Sequence, residues 1–256
     1  MGIIAAIYGL VAYVAFFASF LYAIGFVGDL LVPKTIDSGA VGALPQALII
    51  DLVLLGLFAV QHSVMARPGF KAVWTRIVPR SVERSTYVLI SSLLLGLICW
   101  QWRPIAGVVW DVTTPLFRQL LLGVFALGWV ILLLSSFMIN HFDLFGLRQV
   151  YLRVRGLDYT PPHFVQRAFY KFVRHPIMLG FVISFWAAPH MSLGHLVFSV
   201  ATTAYIFVGI FFEERDLMQY HGADYGAYRA RVPMIFPTGR RAGRTTEAQA
   251  KDLSRA

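Results

Sequence analysis

The chain of 256 residues is 58% hydrophobic and only 14% charged, with a formal net charge of +9. A soluble globular domain is nearer half apolar and a quarter charged, and here the apolar residues stand in long blocks, which excludes an ordinary soluble enzyme and points to an all-α integral membrane protein. The basic residues lie between those blocks and not on a basic helix interleaved with aromatics, so nucleic acid is excluded as a partner; the single cysteine, Cys99, excludes an intrachain disulfide framework.

Six apolar segments follow in order, giving an expectation of five to six transmembrane helices in one domain over residues 1–237. The first, Ile3–Val32, is long enough to cross with some tilt and lacks the basic start of a signal peptide. The second, Pro45–Met65, carries Asp51 and His62. These lie eleven residues apart, about three helical turns, and so share a face. Ionisable residues inside a membrane span are candidates for function. Pairing within the bundle explains Asp51 equally well, as does a backbone carbonyl partner for His62. The third segment, Tyr87–Trp102, closes on Trp100 and Trp102 as interfacial aromatics. The fourth, Leu116–Ile139, runs into Asn140-His141-Phe142-Asp143, which either lines a pocket or ends the helix.

The last two segments, Ile177–Ala188 and His195–Phe212, are joined by the short turn Pro189–Gly194 and read as a helical hairpin. Residues 177–188 alone are too short to span, so a re-entrant pair is the alternative. Residues 238–256 are polar and charged, the composition of a disordered tail. Of the lysines and arginines, 19 fall in the tail and in the loops after the second and fourth segments, against 3 in the other loops. The positive-inside rule then places both termini in the cytoplasm.

The polar residues that return to one membrane edge come from both ends of the hairpin. Proline suits the first turn of a helix and disfavours helix just before it, so Pro176 opens the fifth segment with His175 at its cap. Backbone N–H groups at such a start can hold a carboxylate. Gly180 permits close backbone approach, and Arg174 is either a topological anchor or a ligand. Glu213 and Glu214 follow the sixth segment directly. Two acids at a helix C-terminus oppose its dipole and call for basic loops or a cationic ligand. Tyr225 and Tyr228 are either interfacial anchors or the wall around a flat ring or a cation. There is no CxxC, no HExxH and no P-loop, and no metal site is expected. The scattered histidines leave a haem open.

Arg174-His175-Pro176, Gly180, Glu213-Glu214, Leu217, Gly222, Tyr225, Tyr228 and Val232-Pro233 together resemble the C-terminal signature of the isoprenylcysteine carboxyl methyltransferase superfamily. Gln61–Lys71 and Glu83–Tyr87 resemble the NnrU-like family, and in combination with Leu21–Gly39 the likeness covers nearly the whole chain up to Pro237. It implies S-adenosylmethionine as cofactor, enclosed by Arg174, His175, Pro176, Met178, Gly180, Glu213, Glu214, Tyr225 and Tyr228. Met178 departs from the pattern, which has tyrosine there. The implied reaction is methylation of a small volatile thiol, methanethiol to dimethyl sulfide, in a bacterial inner membrane, with the lipid bilayer as the other partner. A larger lipidic acceptor and a haem-binding NnrU-like protein are the alternatives. A thiol with an ordinary pKa of about 8.5 reacts as the thiolate, so a base is needed. His62 ranks first, then Asp51, with Tyr87 or His141 as orienting groups.

Overall fold

A bilayer core about 30 Å thick demands roughly 20 apolar residues of helix. Among the described residues, 2–160 and 166–237, five helices of this computed structural model meet that demand. They are α1 (Gly2–Gly28), α2 (Leu44–Ala66), α4 (Arg80–Gln101), α5 (Pro115–Ile139) and α9 (Leu193–Arg231). The short helices α3 (Pro68–Trp74), α6 (His141–Leu144) and α7 (Leu147–Val154) connect them, and α8 (Pro176–Trp186) precedes α9. The tail expected over 238–256 lies outside the described residues.

Proline within the first turn opens α2, α5 and α8, where its missing N–H costs no helical hydrogen bond. Three boundaries differ from the hydropathy reading. α1 stops at Gly28, short of Val32, where Asp29 and Leu31 take positive φ. α4 begins seven residues before Tyr87, at Arg80, because a helix continues through polar residues once it leaves the apolar layer. α9 likewise runs on past Phe212 to Arg231, with a break at Gly222 (φ 54°, ψ −122°). Glu213 and Glu214 therefore sit inside a helix, and the expectation that they oppose a helix terminus does not hold.

The all-α expectation has one exception. Residues 190–192 form strand β2, which pairs antiparallel with β1 (Val108–Asp111). Val108, Val109 and Trp110 are the β-branched and aromatic types that favour strands, and the Trp110 indole N–H donates to the Ala188 carbonyl at 2.9 Å. This pair and the buried Trp102 and Ile105 fill the end of the bundle opposite the start of α8. α8 has only 11 residues, about 16 Å at 1.5 Å per residue. Non-helical backbone at that depth is tolerated because it is enclosed in protein.

Packing divides the bundle. α8 lies tightly against α5, and α1 against α4, which also carries α2. Glycine sets the first contact: a Cβ on Gly180 would stand 2.6 Å from the Gly128 carbonyl oxygen. The seams between α2 and α9 and between α1 and α5 are sparser. Phe20, Phe26, Trp129, Phe185 and Phe198 form the aromatic centre of the core.

Candidate active site

The rim cluster begins at the cap of α8. The Arg174 and His175 backbone N–H groups donate to the carbonyls of Pro233 and Met234, at 2.9 and 3.0 Å. The chain leaving α9 is thereby laid alongside residues 174–175. That return is possible because Gly222 takes a positive φ that side-chain-bearing residues seldom adopt. His175 is the N-cap of α8 and Pro176 its first residue, as the sequence leads one to expect.

Glu214 organises the cluster. Its carboxylate accepts from Arg174 Nε and Nη2, both at 2.7 Å, and faces His175 Nε2 at 3.1 Å and Arg229 Nε at 3.3 Å. Both Glu214 and Arg174 have side chains less than a tenth exposed, at 8% and 9%. Glu213 is different: its side chain is 48% exposed, and it meets His175 Nδ1 at 3.5 Å. The two adjacent acids thus approach opposite nitrogens of one imidazole, one buried and one open.

The tyrosines take unlike places. Tyr225 is buried beside Glu214. Tyr228 is buried and its hydroxyl donates to the Tyr170 carbonyl at 2.7 Å. Burial, and then the charge of Glu213, pushes the Tyr170 phenol above its ordinary range. Next to these groups a cleft of about 280 Å³ is lined by Arg174 and residues 229–234. Met178 packs half-buried against the core, and Gly180 faces α5. The cluster can offer a half-exposed carboxylate from Glu213 and a half-exposed guanidinium from Arg229. Pro233 and Met234 add apolar surface.

A second polar island lies where α2 and α4 meet. His62 Nε2 is 2.8 Å from the Tyr87 hydroxyl and Nδ1 is 3.3 Å from Ser91 Oγ. Ser91 donates its own proton to Gln61 Oε1 at 3.1 Å, so its oxygen accepts from Nδ1–H. Nε2 is left as the acceptor for Tyr87. Phe58 stacks on the His62 ring at 5.1 Å, and the Arg84 guanidinium stands 5.0 Å over the Tyr87 ring. Of the four residues weighed for catalysis, the structure brings His62 and Tyr87 together.

His141 and Asp51 lie apart from that pair. His141 is buried between Tyr13 and Ser136, each 2.8 Å from a ring nitrogen, and burial holds its pKa below the ordinary value. Phe145 links the neighbourhoods, stacked 3.8 Å from Phe16 and packed towards the Tyr87 cluster. Asp51 is fully buried and accepts from the Arg103 backbone N–H at 2.9 Å, which ties α2 to the chain leaving α4. Tyr205 and Arg229 were missed in the sequence. Tyr205 places its hydroxyl 3.1 Å from Ser63 Oγ, next to His62. A tyrosine in an otherwise apolar span carries a polar tip that needs a partner when buried, and that signal was available.

Comparison with known proteins places these features in a family context. Residues 50–241 match the family model described as NnrU protein. The chain is 55% identical over 231 residues to the methanethiol S-methyltransferase of Mycobacterium tuberculosis, covering 90% of this chain and 95% of that one. It is 54% identical over 234 residues to methanethiol S-methyltransferase 1 of Bradyrhizobium diazoefficiens, covering 91% and 82%. Nurim of Mus musculus is 31% identical over 175 residues, covering 65% and 66%. No solved structure matches.

Proposed function

The chain belongs to the NnrU family, and from that premise we propose that it methylates methanethiol to dimethyl sulfide with S-adenosylmethionine as methyl donor. The observation that carries this reading is a bundle holding a charged rim cluster and a buried His62–Tyr87 pair, in a chain more than half identical to relatives named for that reaction. Both termini and the start of α8 face the cytoplasm of a bacterial inner membrane, on the strength of the 19 to 3 distribution of basic residues. α8 and α9 then form a hairpin whose cytoplasmic ends enclose the cofactor.

The chemistry of the rim residues fits that cofactor. Glu213, half exposed, suits ribose hydroxyls or an ammonium group, and Arg229, with a side chain 53% exposed, suits a carboxylate. Pro233 and Met234 line the cleft and supply apolar surface for a flat base, while Met178 packs against the core. Glu214 is committed to Arg174, His175 and Arg229, so it holds the walls of the site. When bound, S-adenosylmethionine supplies an electrophilic methyl group on a sulfonium. The protein's own work is alignment, exclusion of water and removal of one proton.

That proton has a defined route. With Nδ1–H held by Ser91, His62 Nε2 is the basic nitrogen. The Tyr87 hydroxyl donates to it and keeps an oxygen lone pair for the thiol. As the thiol proton moves to the Tyr87 oxygen, the Tyr87 proton moves to Nε2, leaving a thiolate in an apolar surround. General acid–base participation of this kind is worth about 10² to 10⁴ in rate.

The test uses the full chain in lipid nanodiscs with S-adenosylmethionine and methanethiol, read by headspace gas chromatography and by calorimetry of cofactor binding. Dimethyl sulfide and S-adenosylhomocysteine should appear in equal amounts. Cofactor binding without dimethyl sulfide would transfer the reading to a larger lipidic acceptor. A Soret band without cofactor binding would replace it with a haem protein.

A further inference from the structure

The seams of the bundle are not built alike. Between α5 and α8, Gly128 and Gly180 bring two backbones into contact. Between α2 and α9 the joining is done by two polar ties. One is the Ser63–Tyr205 hydrogen bond at 3.1 Å; the other is the Arg67–Asp216 ion pair at 2.9 Å, with the Arg67 guanidinium also 5.6 Å over the Phe212 ring. Tyr205, Gly209, Phe212 and Asp216 recur at spacings of four, three and four and therefore share one face of α9. Gly209 lies between the two ties. A Cβ there, or on Gly56 of α2, would meet nothing within 4 Å. These glycines leave room where Gly128 of α5 and Gly180 of α8 close it.

The position of the first tie matters. Ser63 follows His62 directly, so whatever passes Tyr205 arrives beside the His62–Tyr87 pair. A small apolar thiol partitions into lipid and meets this seam from the bilayer. The charged Arg67–Asp216 tie stands at the rim, with both side chains partly exposed at 36% and 38%, and bars the apolar path from water. The tyrosine ring supplies bulk, and its hydroxyl supplies a single hydrogen bond that can break without leaving an ion behind.

We propose that Tyr205, latched to Ser63 across the α2/α9 seam, is the lateral gate and size filter through which the thiol enters and the sulfide leaves. This inference rests on the methyl-transfer reading. Tyr205→Ala widens the passage and relaxes discrimination against longer thiols, one methylene more or less in a hydrophobic site being worth about tenfold or more. The ratio of kcat/KM for butanethiol to that for methanethiol should therefore rise at least about tenfold, with cofactor affinity unchanged. Tyr205→Phe keeps the ring and should leave that ratio within about threefold of wild type, since its size filter is intact. A Ser63→Cys, Tyr205→Cys double variant, bridged by a short bis-methanethiosulfonate because the tyrosine reach is too long for a direct disulfide and with the buried Cys99 left in place, should lose methanethiol turnover on cross-linking and recover it with a reductant.

An unchanged thiol ratio in a folded Tyr205→Ala protein overturns the proposal, as does full turnover by the cross-linked protein. If Tyr205→Ala does not fold, the reversible cross-link decides alone. If the wild type binds cofactor but makes no dimethyl sulfide, the functional reading falls separately. The gate is then judged by labelling of Gly209→Cys with a lipid-soluble maleimide. Faster labelling when Tyr205→Ala is added supports it, and an equal rate refutes it.

Discussion

The two adjacent glutamates should fail in different ways when neutralised. Glu214 is 8% exposed at its side chain and sits within 3.3 Å of Arg174, His175 and Arg229. Glu214→Gln keeps the shape and removes the charge, so Arg174, itself 9% exposed, is left buried without its counter-charge. Removing one partner of a buried ion pair costs about 3–5 kcal/mol, against a typical total stability of about 5–15 kcal/mol. A large fall in melting temperature follows, and cofactor affinity falls with it because Arg174 also anchors the returning chain at Val232 and Arg229. Glu213→Gln removes a half-exposed charge whose neighbour, His175 Nδ1, is 3.5 Å away. Surface changes of that kind stay within about 0.5 kcal/mol of wild-type stability. A hydrogen bond from a ligand to a charged group is worth about 1.5–3 kcal/mol, so the cofactor Kd should weaken roughly 10- to 150-fold. Thermal unfolding of the apo protein and calorimetric titration with S-adenosylmethionine separate the two effects. A Glu214→Gln protein that melts with the wild type, or a Glu213→Gln protein that binds cofactor with wild-type affinity, refutes the division of roles.

Three further outcomes follow from other parts of the molecule. His62→Gln should bind cofactor as the wild type does while turnover falls by about 10² to 10⁴; unchanged turnover of methanethiol removes the proposed base. Gly180→Ala places a Cβ 2.6 Å from the Gly128 oxygen and should cost about 1–3 kcal/mol of overpacking, whereas Gly56→Ala enters open space and, alanine being the better helix former, should not lower the melting temperature. Burial lowers the His141 pKa, so below its ordinary value of about 6.5 the unfolded chain takes a proton that the folded chain refuses. The contribution of His141 is thus whole above that pH and is lost as pH falls through the folded value. Melting curves at pH 7.5 and 5.5 should converge more in His141→Gln than in the wild type, and equal pH dependence would refute the assignment.

What the sequence disclosed follows the reach of each physical constraint. A bilayer forbids unpaired backbone over its whole thickness, so the long helices are written as apolar runs. Pro176 is legible as a helix start because its ring decides the matter within one turn. His62 and Tyr87 are legible singly, as polar groups in or beside apolar spans. Their partnership depends on the register of α2 against α4, which no local pattern carries. Asp51 shows the same limit from the other side. Its periodicity puts it on the face of His62, but its depth brings it to the Arg103 N–H. The continuation of α9 past Glu214 was hidden because a solvent-exposed helix has no hydropathy signal. The β1/β2 pair was hidden because its strands come from segments some eighty residues apart. Arg229 is placed by the turn at Gly222, and that turn is read only in three dimensions.

Rigid and yielding contacts are distributed in this bundle in a way that suits a reaction between a charged cofactor and a volatile thiol. Where α8 meets α5, glycine packing brings backbones together, and separating them would forfeit many dispersion contacts at once. Where α2 meets α9, the ties are the Ser63–Tyr205 hydrogen bond and, nearer the rim, the Arg67–Asp216 ion pair. Hydrogen bonds between membrane helices average about 0.6 kcal/mol, comparable with thermal energy, so the Ser63–Tyr205 tie breaks at little cost. The Glu214 cluster lies nine residues beyond Tyr205 on the same helix, about 14 Å along its axis, and is fixed by charges that cannot separate cheaply. One helix thus carries an end anchored at Glu214, the proposed cofactor wall, and a lightly held middle beside His62. On the proposed gate, movement at Tyr205 admits an apolar acceptor without disturbing the charges at Glu214, a separation that suits methyl transfer at a membrane edge.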